Sequence, residues 1–256
     1  MLKKYLLYIK MLDYNSWLPK YLKALLILGR TYNPTSEYTK TAMKCFIESL
    51  THLLPDKYMM RIFSNFIEMD VYTRNQLLTH PTIIKFFETY PDIQDVLYDT
   101  PEQFLTFCLQ SEFTMFAWMY LLNSYIILLL NKSGHNMTPL SFIDLRKQYD
   151  PDYLDKSDWG RPIWFIIHMS PIYATGDCSD VYYNLKAMLS CLRFILPCPK
   201  CQLHLSDNLP KINIDDCAES REKLFEATWK LHNIVNADLN KYQPSLQEAR
   251  QYYNFK

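Results

Sequence analysis

The sequence predicts an all-α protein, on three observations. Only four glycines (Gly29, Gly134, Gly160, Gly176) stand against 14 prolines in 256 residues. A β-rich or doubly wound fold needs many left-handed turns, and a Rossmann loop needs clustered glycines. Apolar residues recur at helical period from Tyr5 to about Lys132. The segment boundaries fall near Pro34, Pro55, Pro81, Pro91 and Pro101. Several of these follow residues such as Asn33, His80 and Thr100, as when proline enters a first helical turn.

The length suits one large domain or two modest ones with a real core. The 27 basic and 27 acidic side chains balance, which gives no reason to expect a nucleic-acid partner. Seven cysteines are too few for a disulfide scaffold. Their odd number leaves at least one free or paired between molecules.

Met1 to Gly29 is apolar but interrupted by lysines, with no small-residue cleavage site after it. It reads as one or two amphipathic helices rather than a secretory signal. Phe113 to Leu130 is 18 residues without a charge, which just meets the length for a membrane span. Tyr120, Asn123, Ser124 and Tyr125 suit lipid poorly, so a buried core helix is the favoured reading and a membrane segment the other. His52, His80, Cys45 and Cys108 lie far apart and read as core or surface residues. No internal repeat is found. Polar stretches at Asn131 to Phe142 and Arg146 to Asp158 read as a linker. They divide the chain into residues 1–150, a helical domain of no assigned role, and residues 151–256, which carry the chemistry.

Three clusters lie in that second part. In "WGRPIWFIIHMSPIY" (Trp159 to Tyr173), a helix running from Pro162 through Met169 puts Arg161, Trp164 and His168 on one face. By itself this is most simply a core aromatic beside a satisfied histidine. In "LPCPKCQLHL" (Leu196 to Leu205), Pro197 and Pro199 place Cys198 and Cys201 at a helix start. There the helix dipole is expected to lower a cysteine pKa. In "LFEATWKLHNIVNADLNK" (Leu224 to Lys241), Trp229, His232, Asn233, Asn236 and Asn240 form a polar-aromatic stripe. Beside it, Leu224, Thr228, Leu231, Val235 and Leu239 form a mostly apolar one. A solvated face would show Lys and Glu instead.

The C-x-x-C admits three readings. Cys198, Cys201, His204 and Cys217 would make a structural Cys3His zinc site, leaving the aromatic stripe unexplained. A thioredoxin-like module needs a βαβ unit that the surrounding sequence does not offer. A flavin-coupled disulfide uses all three clusters, with side chains on bundle helices doing what a Gly-rich loop does elsewhere.

W-G-R-x-x-W-x-x-x-H, then P-C-x-x-C, then H-N-x-V-N-x-x-L-x-K together resemble the Erv/ALR sulfhydryl oxidases over about residues 157–242. The resemblance implies a four- or five-helix bundle holding FAD, with a helical N-terminal domain packed on it. It implies Cys201 as the flavin-proximal cysteine, in charge-transfer contact as a thiolate, and Cys198 as the outer one. Cofactor contacts carried over are Gly160, Arg161, Trp164, His168, Tyr173, His232, Asn233, Asn236, Leu239 and Lys241, with Trp229 and His204 as additions. No metal is implied. The implied activity is thiol oxidation, with electrons passing from protein thiols through Cys198 and Cys201 to FAD and then oxygen, giving hydrogen peroxide.

Two positions depart from the family pattern. Leu231 stands where many members have a cysteine paired downstream of the C-x-x-C, leaving Cys217 with Cys178 or Cys191 as alternatives. No second, shuttle C-x-x-C is present, so thiol-bearing proteins or a separate thiol carrier are the expected partners. A helical extension without a shuttle is similar to the sulfhydryl oxidases of large insect DNA viruses such as baculoviruses. That narrower likeness implies the cytoplasm or nucleus of an infected cell, or the virion. The family's pairing through helix faces would allow a homodimer. The competing class is a non-enzymatic helical scaffold with the Cys3His zinc site.

Overall fold

The computed structural model describes residues 14–97 and 99–255; the helix expected before Tyr14 lies outside them. Among the described residues there are helices and no strand. Helix α1 spans Tyr14–Arg30. Helix α2 (Glu37–His52) begins where the Ser36 hydroxyl accepts the Thr39 N–H, so a serine cap and not Pro34 sets its start. After α3 (Lys57–Ile67) come four short helices: α4 (Val71–Thr79), α5 (Pro81–Thr89), α6 (Pro91–Val96) and α7 (Pro101–Cys108). Pro81, Pro91 and Pro101 each open their helix as expected, since the N–H they lack would have had no partner there.

Helix α8 (Glu112–Lys132) is the membrane-length segment, and 83% of its apolar window is buried inside the protein. It is the central helix of the N-terminal half, packed by α1, α3, α4 and α7. One of its mid-helix polar groups is used internally: the Tyr125 hydroxyl accepts from Thr73 Oγ1 at 3.0 Å. Gly29 lets α1 come close to α8. A Cβ there would lie 2.8 Å from Met119 Cγ and 3.4 Å from the Phe116 Cα.

The expected linker is more structured than its polarity suggests. Helix α9 (Phe142–Gln148) inserts Phe142 among Phe86, Tyr90, Phe113, Phe116 and Tyr120, at centroid distances of 5.0–5.5 Å. Arg146 donates to both Glu112 carboxylate oxygens at 3.0 and 3.2 Å, and Arg30 to one of them at 3.0 Å. One aromatic side chain thus anchors a polar segment to the N-terminal core.

The second half comprises α10 (Lys156–Tyr173), α11 (Cys178–Ile195), α12 (Pro199–Asn208), α13 (Arg221–Asp238) and α14 (Leu246–Tyr252). Helix α10 begins six residues before Pro162. Asp155 caps it by accepting from the Asp158 N–H at 3.2 Å, and Asp158 accepts from the Asp155 N–H at 3.2 Å. This reciprocal cap outweighs the proline, which is carried inside the helix.

The two halves share one continuous core. Helix α1 lies between α8 and α10, and α2 runs along α11. Lys23 Nζ meets Asp158 Oδ1 at 3.2 Å, and the Tyr21 and Phe165 rings meet edge to face at 6.2 Å. Cys45, which the sequence leaves alone, lies near Cys191, whose thiol is pushed far up first by burial and then by Cys45. A fragment of residues 151–256 would bare the faces that α10 and α11 turn toward α1 and α2. Exposed patches beyond about 400 Å² promote association. The fragment is therefore expected to aggregate in light scattering; a monodisperse, folded fragment would show that the halves are independent.

Candidate functional site

Helices α10, α11, α12 and α13 pack in sequence around one space. Its disulfide end is built by local rules. Leu196 ends α11 with ψ at 144°, Cys198 is the extended N-cap of α12, and Pro199 occupies the first turn. The Cys198 sulfur accepts the Cys201 backbone N–H at 3.3 Å. The helix N-terminus therefore supports Cys198, while Cys201 faces inward.

The space is a cavity of about 740 Å³. Its wall includes Gly160, Arg161, Trp164, His168, Cys201, His204, Trp229, His232, Asn233, Asn236, Leu239 and Lys241. The structure thus gathers onto one wall twelve of the residues singled out in the sequence. Cys198 and Tyr173 are not on it. Tyr173 lies about 140° around α10 from His168 at 100° per residue, whereas Arg161 and Trp164 lie within about 40° of it. The Tyr173 hydroxyl donates to the Tyr253 carbonyl at 3.1 Å, supporting a wall residue from behind.

The two histidines tie α10 to α13. Thr228 donates its hydroxyl proton to the Phe225 carbonyl at 2.8 Å, so it accepts from His168 Nδ1 at 3.0 Å. His168 Nε2 is then bare and accepts from His232 Nδ1–H at 2.9 Å. These tautomers follow from the network. Burial, with His232 next, holds His168 well below its ordinary range; burial, with Lys241 next, lowers His232 to about 4. Both rings are neutral. The Trp164 and His232 rings stack 4.0 Å apart at 5°.

Asn240, in the left-handed conformation at φ 52°, ends the region of α13. The Lys241 N–H returns to the Asn236 carbonyl at 2.8 Å, a Schellman closure that brings Lys241 back to the wall. Trp229 Nε1 and Asn233 Nδ2 both donate to the Pro244 carbonyl, at 2.8 and 2.9 Å. That contact folds the following loop and α14 over the cavity.

The cysteine expectation needs correction. The Cys201 thiol is pushed up to about 11, first by burial and then by Cys198, with Lys156 and Lys200 pulling the other way. A helix N-terminus does not by itself lower a thiol that is both partly buried and beside a second cysteine sulfur.

Sequence reasoning missed Lys20, Lys156, Lys200 and the α14 residues Glu248, Ala249 and Tyr252, all on the wall. Helix α14 had a readable signal in Ser245 and Glu248, which form a reciprocal capping box. The zinc alternative finds no support in the geometry. Among the described residues no three His, Cys, Asp or Glu side chains are placed to hold a metal. Cys217 donates to the Asn213 carbonyl at 3.8 Å and Cys178 to that of Ala218 at 3.3 Å.

A model of the Erv1/Alr family matches residues 161–254. Proteins named as FAD-linked sulfhydryl oxidases are similar to this chain. One from Acanthamoeba polyphaga mimivirus is 31% identical over 101 residues, 38% of this chain and 68% of the relative. One from Invertebrate iridescent virus 3 is 29% identical over 101 residues, 39% and 68% of the two chains. One from Frog virus 3 is 29% identical over 97 residues, 36% and 64%. No solved structure matches significantly.

The neutral histidine pair makes stability depend on pH. A lowered folded pKa means the unfolded chain binds more protons, so stability is present above about pH 6.5 and is lost as pH falls toward 4. For His232 alone the loss between pH 7 and 5 is about 1–2 kcal/mol. Urea unfolding of the protein should show this loss, and His232→Gln should lose correspondingly less over the same interval. Equal losses in the two proteins would remove the histidine from the explanation.

Proposed function

As a member of the Erv1/Alr family, the chain is an FAD-linked thiol oxidase, and we propose that it forms disulfides in protein thiols through Cys198 and Cys201, delivering the electrons to oxygen. One observation carries the reading: Cys201, half of a C-x-x-C at a helix start, is part of the wall of the aromatic and cationic cavity.

The cavity suits the cofactor. Its volume lies toward the upper end of the range for small-molecule sites, about 300–1,000 Å³. Asn233 Oδ1 is a buried acceptor with no partner, and a ring N–H of the cofactor would satisfy it. A Cβ at Gly160 would meet no atom within 4 Å, so a ligand can approach the α10 backbone there. The Trp164 and His232 stack offers aromatic surface to a ring. Arg161 and Lys241 offer charge to phosphates.

Cys198, outside the cavity wall, is the sulfur for a substrate thiolate to attack. The new bond to Cys198 breaks its bond to Cys201, which leaves as a thiolate with the electron pair. A second substrate thiolate then attacks the substrate sulfur and releases Cys198. The substrate gains a disulfide and the enzyme holds the dithiol. Lys156 and Lys200 stabilise negative charge at Cys201. FAD held by this wall would supply a two-electron acceptor that oxygen can reoxidise, with hydrogen peroxide as the product.

The purified protein should be yellow, with one FAD per chain, and should consume oxygen with a dithiol substrate. Cys198→Ser and Cys201→Ser should both abolish that consumption. Treated with a small aromatic disulfide reagent, the Cys198 thiol left in Cys201→Ser should react faster than the Cys201 thiol left in Cys198→Ser. A colourless protein would overturn the reading, and the reverse order of reactivity would exchange the two cysteine roles.

A further inference from the structure

We propose that Lys20 belongs to the cofactor site, so that the N-terminal half supplies a cationic contact to the FAD diphosphate. The inference rests on the FAD reading above and extends it to a residue outside the family match at 161–254.

Lys20 lies on α1, and among the described residues it is the one contribution to the cavity wall from before Lys156. The packing of α1 on α10 puts it there. Its Nζ sits 4.0 Å from the centroid of the Phe165 ring, next in sequence to Trp164. Lys23, three residues further along α1, is paired with Asp158 at 3.2 Å. No ion pair joins Lys20 to a carboxylate among the described residues. A ring face holds the ammonium in place but does not neutralise it.

The charge of the wall agrees. Lys20, Lys156, Arg161, Lys200 and Lys241 face a single wall carboxylate, Glu248. Glu248 is occupied, accepting from the Ser245 N–H, the Ser245 hydroxyl and the Tyr242 hydroxyl, each at 2.7 Å. Lys156 and Lys200 act on Cys201, and Lys241 on His232. Among the described residues, none with a resolved pKa shift owes it to Lys20. Lys20 is exposed, and partial desolvation by its surroundings lowers its pKa; a dianion arriving beside it would favour its charge. A diphosphate supplies one.

The test is FAD binding to full-length apoprotein, read by flavin fluorescence, with riboflavin, which lacks phosphate, as the second ligand. Lys20→Gln should bind FAD about three- to tenfold more weakly, the range for a partly exposed charged contact. Lys20→Arg should bind it about as well as the unmodified protein. Riboflavin affinity and the melting temperature of the apoprotein should be the same in all three. If Lys20→Gln holds FAD as tightly as the unmodified protein, the inference is wrong. If it loses FAD and riboflavin equally and melts lower, Lys20 is a packing residue and the inference also fails. An unmodified protein that binds no FAD at all would instead overturn the reading beneath it.

Discussion

The cavity depends on the hydrogen-bond chain that runs from the Phe225 carbonyl through Thr228 and His168 to His232. Two helices that must leave a cofactor-sized space between them cannot be fixed by continuous apolar packing, because packing would close the space. A polar chain with every inward group satisfied fixes their register at one place and lets them diverge elsewhere. The chain works because both imidazoles are neutral, so that each can donate on one nitrogen and accept on the other. Protonating His168 would put a second donor at Nε2, facing the His232 Nδ1–H at 2.9 Å. The same register brings Trp164 against His232, so one device sets both the backbone spacing and the aromatic surface of the wall.

A small bundle with a hollow centre has little core of its own, and the N-terminal half supplies the missing packing. The burial of Leu185, Met188 and Leu189 on α11, and of Trp17, Leu18 and Tyr21 on α1, is nearly complete. Helix α8 behind them carries the segment whose length and composition would fit a membrane. Its apolarity all the way round is what a helix packed on every side requires. Leu231 belongs to the same economy. Where a cysteine would cross-link α13, a fully buried leucine packs instead, and hydrophobic burial takes the place of a covalent tie.

Much of the site was legible because it obeys local rules. Periodicity placed Arg161, Trp164 and His168 on one face of α10 and the Trp229-to-Asn236 stripe on one face of α13. Proline spacing placed Cys198 at a helix start. Tyr173 shows the limit of motif reading: it follows the same helix but lies past the face that meets the cavity. Lys20 was not legible, because nothing near it in the chain signals that α1 will lie against α10. The structured linker escaped notice because one residue, Phe142, outweighs a polar neighbourhood. The thiol chemistry was misjudged for a different reason. Dipole direction can be read from sequence, whereas burial and the placement of a second sulfur are tertiary.

The raised pKa of Cys201 fits a role as the departing sulfur once the redox state is specified. The value of about 11 describes the dithiol, where part of the upward push comes from the neighbouring Cys198 thiol. In the proposed exchange Cys198 would be bonded to the substrate sulfur and would carry neither a proton nor a charge. That contribution would disappear at the moment Cys201 must leave as a thiolate. Lys156 and Lys200 remain in place and still favour the charged form. Leaving-group ability rises as thiol pKa falls, so exchange at Cys198 improves Cys201 as a leaving group. In the proposed cycle the mixed disulfide would therefore hold Cys201 lower than the dithiol does, with the two lysines favouring its charged form in both states.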